Sequence, residues 1–184
     1  ARQRRIPTLI HEQNAALGRA NRMLRPWVDL LALSFSNERS MPRLLKTPTV
    51  LTGLPTRQAI GHMSRDDAAA RLGCDANRPT LLVVGGSQGS QAINQLVCRL
   101  AQRMSEAERA AWQLVHLTGP GDQQAIEEIY RTAGVRAVVR THLADMAVAY
   151  AAADVVISRA GASTVAELAR CGLPGILIPY PYAG

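Results

Sequence analysis

The sequence predicts an α/β protein built on mostly parallel sheets. Short apolar runs alternate with helix-length segments through the second half of the chain, the rhythm of β/α units with helices on both sheet faces. Two of those runs, Leu81-Leu82-Val83-Val84 and Asp154-Val155-Val156-Ile157, lead straight into small-residue turns. These turns are Gly85-Gly86-Ser87-Gln88-Gly89-Ser90 and Ser158 through Glu167. Each opens a helix-patterned stretch, so unpaired backbone N–H groups and the positive end of a helix dipole meet at a strand exit. Two phosphate-type turns in one series suggest a nucleotide diphosphate held along one sheet edge.

Residues 6–10 read as a strand that delivers His11-Glu12-Gln13-Asn14 at its carboxyl end. Residues 17–25 are helix-like and stop at Pro26, which cannot continue a helix interior. A second strand is expected over 28–35, a short helical piece near 41–45, and a brief strand over 49–52 leading into Gly53-Leu54-Pro55-Thr56-Arg57. From 57 to 78 the composition turns charged and small, with a helical patch only at 66–72, and a domain boundary is expected there. Beyond it, strands are expected at 80–84, 113–117, 135–140, 154–158 and 175–178. The helices between them are expected at 91–104, 122–133, 143–153 and 164–171. Ligands of such sheets bind outside the carboxyl ends of the strands.

At 184 residues, with 47% hydrophobic and 19% charged residues, the chain can bury a real core and is not compositionally disordered. Its longest apolar run, 146–156, is broken by Asp154 and is too short to span a bilayer. Three separated cysteines, Cys74, Cys98 and Cys171, form no Cys-x-x-Cys pair. They speak against a disulfide scaffold or zinc knuckle and for a reducing compartment. The net charge of +7 attracts anions, but aromatics are only 4% and do not alternate with the arginines. Nucleic acid is therefore disfavoured. The chain begins without Met and stops just after a strand, which reads as a piece of a longer protein.

Individual residues carry competing readings. Gly85 to Gly89 lacks the spacing of a dinucleotide fingerprint or a P-loop; it is either a close approach to phosphate, with Ser87 donating, or a tight turn needing positive φ. Glu167 either closes a capping box with Thr164 or accepts hydrogen bonds from ribose hydroxyls. Arg57, behind a Gly-x-Pro turn, is either a phosphate clamp or a solvated linker residue. His11 and Glu12 are candidate general bases, and Asn14 can bond a sugar hydroxyl or amide. His62, His116 and His142 receive no role, and no spacing of His, Cys, Asp or Glu recommends a metal site. The segment 18–27 mixes arginines with Met23, Leu24 and Trp27. It either meets an anionic bilayer or, more ordinarily, buries Met23 and Leu24 and solvates the arginines.

Taken in order, His11-Glu12-Gln13-Asn14, Gly53 to Arg57, Gly85 to Gly89, and Ser158 to Glu167 with Gly172-Leu173-Pro174 resemble the MurG family. These bacterial enzymes of peptidoglycan synthesis move N-acetylglucosamine from UDP-N-acetylglucosamine to lipid-linked N-acetylmuramyl-pentapeptide. The resemblance covers essentially the whole chain. It implies a GT-B fold of two Rossmann-like domains, both incomplete here. Residues 1–57 would be the latter part of the acceptor domain, 58–78 a linker region and the start of the second domain, and 79–184 most of the donor domain.

By position, the resemblance implies that Asn14 meets the donor sugar, that Arg57 and Ser87 contact its phosphates, and that Leu143 holds uracil. Ala162, Ser163, Thr164, Val165 and Ala166 would line the diphosphate and sugar, with Glu167 on the ribose. It implies an inverting displacement with no cofactor and no essential metal, and a peripheral position on the cytoplasmic face of the bacterial membrane. The partners implied are the UDP-sugar, the lipid-linked acceptor and an anionic membrane surface, not nucleic acid. The family's Gly-rich N-terminal loop, with its candidate base, and its glutamine-bearing segment beyond residue 184 have no counterpart in the sequence. The fragment is therefore expected to turn over poorly by itself. Two rival readings are a UDP-N-acetylglucosamine epimerase, which needs a second acid/base carboxylate beside Glu167, and a non-catalytic nucleotide- or nucleic-acid-binding module.

Overall fold

The computed structural model describes residues 6–36, 47–86 and 88–179. The chain divides into two compact units, 1–56 and 57–184.

The first unit is a three-stranded parallel sheet in the order β1-β2-β3, with β1 at Leu9–Glu12, β2 at Leu30–Leu33 and β3 at Thr49–Leu51. The first strand lies later than the apolar run suggests. Its register pairs His11 with Ala32 and Glu12 with Leu33, so half of the polar motif is strand rather than loop. Helix α1 covers Arg19–Leu24 and passes into a 3₁₀ turn at Arg25–Trp27, with Pro26 in its first turn, where a missing N–H costs nothing. The helical piece expected at 41–45 lies outside the described residues. Leu17, Leu31 and Leu33, with Ile10 against them, form a small core.

The second unit begins at Arg57 and holds α2, Arg65–Leu72. Ser64 caps it by accepting the Asp67 N–H, and Gly73 closes it in the left-handed region. The series then runs β4 (Thr80–Val84), α3 (Gln91–Arg103), α4 (Glu106–Ala111), β5 (Gln113–Leu117), α5 (Gln123–Thr132), β6 (Ala137–Arg140), α6 (Met146–Ala152), β7 (Val155–Arg159), α7 (Ala162–Cys171) and β8 (Gly175–Ile178). Helix α4 was not expected from the apolar pattern. A capping box between Ser105 and Glu108 nucleates it.

All five strands are parallel, in the order β6-β5-β4-β7-β8. Their side chains alternate between two cores. Leu82, Val84, Val115 and Val156 pack with α2, α6 and α7 on one face. Val83, Leu114, Val139 and Ile157 pack with α3 and α5 on the other. At the amino edge Arg65 forks onto Asp154 at 2.8 and 2.9 Å, and Asp154 also accepts the Thr80 N–H at 2.7 Å, tying β7 to β4. The chain first builds outward from β4 to β6, then returns to place β7 on β4's other side. The direction of winding therefore reverses between β4 and β7. Such a switch point opens a crevice at the carboxyl ends of those two strands.

Candidate nucleotide site

The loops leaving β4 and β7 flank that crevice, since Val84 and Ser158 are register partners at the strand ends. The β4 loop is shaped by close backbone approach. A Cβ on Gly89 would lie 2.4 Å from the Thr118 carbonyl oxygen, and one on Gly119 would lie 2.4 Å from Gly89 Cα. Gly89 also has φ of 74°, so only glycine fits there without strain. Ser87 lies outside the described residues. At the end of β7, Arg159 donates to Ser90 Oγ at 2.7 Å, linking the two loops across the crevice.

Gly161 is the N-cap of α7 and supplies no side-chain acceptor. The first-turn amides of Ala162, Ser163 and Thr164 therefore face the crevice mouth without a side-chain cap, at the positive end of a ten-residue helix. The capping-box reading of Glu167 fails on this geometry. The helix starts at Ala162, so Glu167 sits in its second turn, past any N-cap amide. Glu167 as a whole is 9% exposed, and its carboxylate accepts the Tyr150 hydroxyl at 2.9 Å.

Arg57 is exposed, and its guanidinium donates to the Ala144 carbonyl at 3.4 Å. That carbonyl belongs to the turn between β6 and α6, which also holds Leu143, half-buried against the core. The Arg57 charge is felt at Tyr150, where it opposes the upward push of burial and of Glu167 on the phenol. Arg57, the 143–145 turn, Tyr150, Glu167 and the start of α7 thus gather at one edge of one sheet. Val165 and Ala166 follow on the same helix, half-buried. Tyr150 was not singled out in the sequence, because it stands in the apolar run of α6 and reads as core. An apolar groove of about 220 Å³, lined by Leu100, Met104, Trp112, Ile157 and Ile176 among others, lies on the α3 face and shares no residue with this site.

The first unit carries a separate constellation. Glu12 is 2% exposed, and its carboxylate is surrounded by donors. Oε1 accepts the Asn14 backbone and side-chain amides at 2.9 and 3.0 Å; Oε2 accepts the Gly18 N–H at 2.7 Å and the Asn21 amide at 3.0 Å. Burial alone would raise its pKa, but the bonds from Gly18, Asn14 and Asn21 outweigh it and hold the group below the usual carboxylate value. A carboxylate so engaged is a weak proton acceptor and a strong organiser of the 12–21 loop. His11 Nε2 lies 3.0 Å from Ser34 Oγ. On α1 and its 3₁₀ extension, Met23 is 76% and Trp27 66% exposed, with Arg19 and Arg22 also outward. The inward packing expected of Met23 and Leu24 does not occur. Among the described residues no helix is long and apolar enough to cross a membrane.

The family model for the glycosyltransferase family 28 C-terminal domain matches residues 80–184. The chain belongs to glycosyltransferase family 28. Across its whole length it is 45% identical to a UDP-N-acetylglucosamine--N-acetylmuramyl-(pentapeptide) pyrophosphoryl-undecaprenol N-acetylglucosamine transferase of Syntrophotalea carbinolica, covering 48% of that protein. It is 43% identical to the transferase of the same name from a Chelativorans species, again covering 48%. The chain thus spans about half the length of these relatives. Among solved structures, Acinetobacter baumannii MurG superposes with a TM-score of 0.70 at 29% identity, over 99% of this chain and 48% of that one. A sucrose-phosphate synthase from Thermosynechococcus elongatus, at 19% identity and a TM-score of 0.53, shares the fold. The family 28 match and these neighbours give the fold as α/β of the GT-B class, with a parallel sheet in each unit.

Proposed function

We propose that this family 28 chain binds UDP-N-acetylglucosamine through its second unit. As part of a transferase, it would deliver N-acetylglucosamine to a lipid-linked N-acetylmuramyl-pentapeptide. The observation that carries the reading is the convergence of Arg57, Glu167 and the side-chain-free N-terminus of α7 at the switch-point edge of one parallel sheet. In this reading the diphosphate rests on the amides of Ala162 to Thr164 and on Arg57. The ribose hydroxyls bond Glu167, and the uracil lies along the 143–145 turn near Leu143. Ser87 is assigned to phosphate on the resemblance of Gly85-Gly86-Ser87-Gln88-Gly89 to the MurG family. Val165 and Ala166 line the wall beside the sugar.

Transfer proceeds as one displacement with inversion at the anomeric carbon. The acceptor's 4-hydroxyl loses a proton to a base, and negative charge builds on the departing UDP. Arg57 and the positive end of α7 meet that charge from fixed positions, which is electrostatic stabilisation without a metal ion. Asn14 is assigned to the donor's sugar, with Glu12 orienting it rather than taking the proton. His11 remains a candidate base. The apolar and basic face formed by Arg19, Arg22, Met23 and Trp27 suits an anionic membrane surface, where the lipid-linked acceptor resides. In this reading the enzyme works as a peripheral protein at the cytoplasmic face of the bacterial membrane.

Calorimetric titration with UDP, ADP and single-stranded DNA tests the donor assignment. UDP should bind with clear preference and modest salt dependence. Equal binding of all three, falling steeply with salt, would instead mark a general polyanion binder.

A further inference from the structure

We propose that Tyr150 is a positioning residue for nucleotide recognition, presenting the Glu167 carboxylate to a ribose diol through the hydrogen bond between α6 and α7. The proposal rests on the ribose reading of Glu167 given above.

Helix α6 is short and apolar, and Ala147, Val148, Ala149, Tyr150 and Ala152 are all buried in it. A phenolic hydroxyl in such surroundings is costly unless it is paired. Its partner is Glu167 Oε2, 17 residues on and 2.9 Å away. Burial, then the bond to Glu167 and its charge, push the Tyr150 pKa far above the ordinary phenol value, so the hydroxyl stays protonated and donates.

Glutamate on a helix ordinarily samples several rotamers, and an unheld carboxylate loses that freedom on binding. Here the tyrosine has already fixed it. Tyr150 is the side chain that bonds this carboxylate among the described residues, and it engages Oε2 through one lone pair, which leaves acceptor capacity on both oxygens for a ligand. Two vicinal hydroxyls match that remaining capacity.

The test is calorimetric titration of the protein, Tyr150→Phe, Glu167→Ala and the double variant with UDP and with 2′,3′-dideoxy-UDP. Phenylalanine keeps the buried ring and removes only the hydroxyl. Tyr150→Phe should weaken UDP about tenfold and leave dideoxy-UDP within about twofold, and it should add nothing in the Glu167→Ala background. Equal losses on both nucleotides, or no loss on UDP, would overturn the positioning role. A distinct pattern exposes failure of the ribose reading itself: the unsubstituted protein binds both nucleotides alike and Glu167→Ala changes neither. The proposal then falls with that reading. Binding stoichiometry reports the folded fraction and the affinity ratio is read within one preparation, so partial unfolding of a variant alters neither conclusion.

Discussion

Glu12 binds both amides of Asn14 with a single carboxylate oxygen, Oε1, at 2.9 Å to the backbone and 3.0 Å to the side chain. The other oxygen holds Gly18 and Asn21, so one buried residue sets the course of the whole 12–21 loop.

Replacing Glu12 with Gln puts an NH₂ group among four donors. About 2–4 kcal/mol of stability should be lost, because a buried donor is left facing another donor. In a transferase assay of the full-length protein the activity falls through a raised donor KM, while the pH profile of kcat keeps its acid limb. Disappearance of that limb would make Glu12 the proton acceptor after all.

His116 is fully buried on β5, between Tyr130 and Asn94. The Asn94 NH₂ donates to the Thr118 carbonyl and to Asp122, so its oxygen faces His116 Nε2. The network therefore assigns the proton to Nε2, and Nδ1 accepts from the Tyr130 hydroxyl at 2.6 Å. Burial, only partly opposed by Asp122, lowers the imidazole pKa from 6.5 to about 4.

That shift fixes the sign of a pH effect. The unfolded imidazole takes up a proton near pH 6.5, and the folded one only near pH 4. The stability is therefore complete above 6.5 and declines as the pH falls between those values. Urea unfolding at pH 5 should show about 2 kcal/mol less stability than at pH 7 from this group, and His116→Gln should flatten the difference. An unchanged pH dependence in that variant would assign the effect elsewhere.

Gly89→Ala and Gly119→Ala each force a Cβ against backbone in the neighbouring loop. Each should cost about 2–4 kcal/mol and weaken UDP binding, since the loops from β4 and β5 can no longer close on each other. Gly134→Ala meets nothing within 4 Å, although its φ of 68° carries backbone strain. It should cost about 1 kcal/mol and leave UDP affinity unchanged.

Trp27 should report membrane contact. Its fluorescence should shift to the blue on vesicles rich in phosphatidylglycerol, and the shift should fade in high salt or in an Arg19→Gln, Arg22→Gln variant, at about 1 kcal/mol per basic residue. No shift would remove this face from the proposed membrane surface.

Much of the second unit is legible in its sequence. Short runs rich in Leu, Val and Ile locate β4, β5 and β8 to the residue: β4 and β5 are buried on both faces, and β8, whose residues are largely exposed, is marked instead by Pro174 and Pro179 on either side of it. Strand β1 is harder. Its place is set by pairing with β2, a long-range term that drew His11 and Glu12 into the ladder. Glu167 looked like half of a capping box because Thr164 stands three residues before it, whereas the helix begins two residues earlier, at Ala162. Tyr150 gives no sign of its role in sequence, since its hydroxyl gains meaning only from the packing of α6 on α7. Helix α4 did carry a signal, Ser105-x-x-Glu108, in a stretch too short for periodicity to show.

A crystal structure of the UDP complex measures directly where uridine diphosphate binds. It should place the diphosphate within hydrogen-bond distance of the Ala162 to Thr164 amides and the Arg57 guanidinium, with the ribose hydroxyls on Glu167. A nucleotide bound away from the start of α7, or with its ribose turned from Glu167, would contradict it.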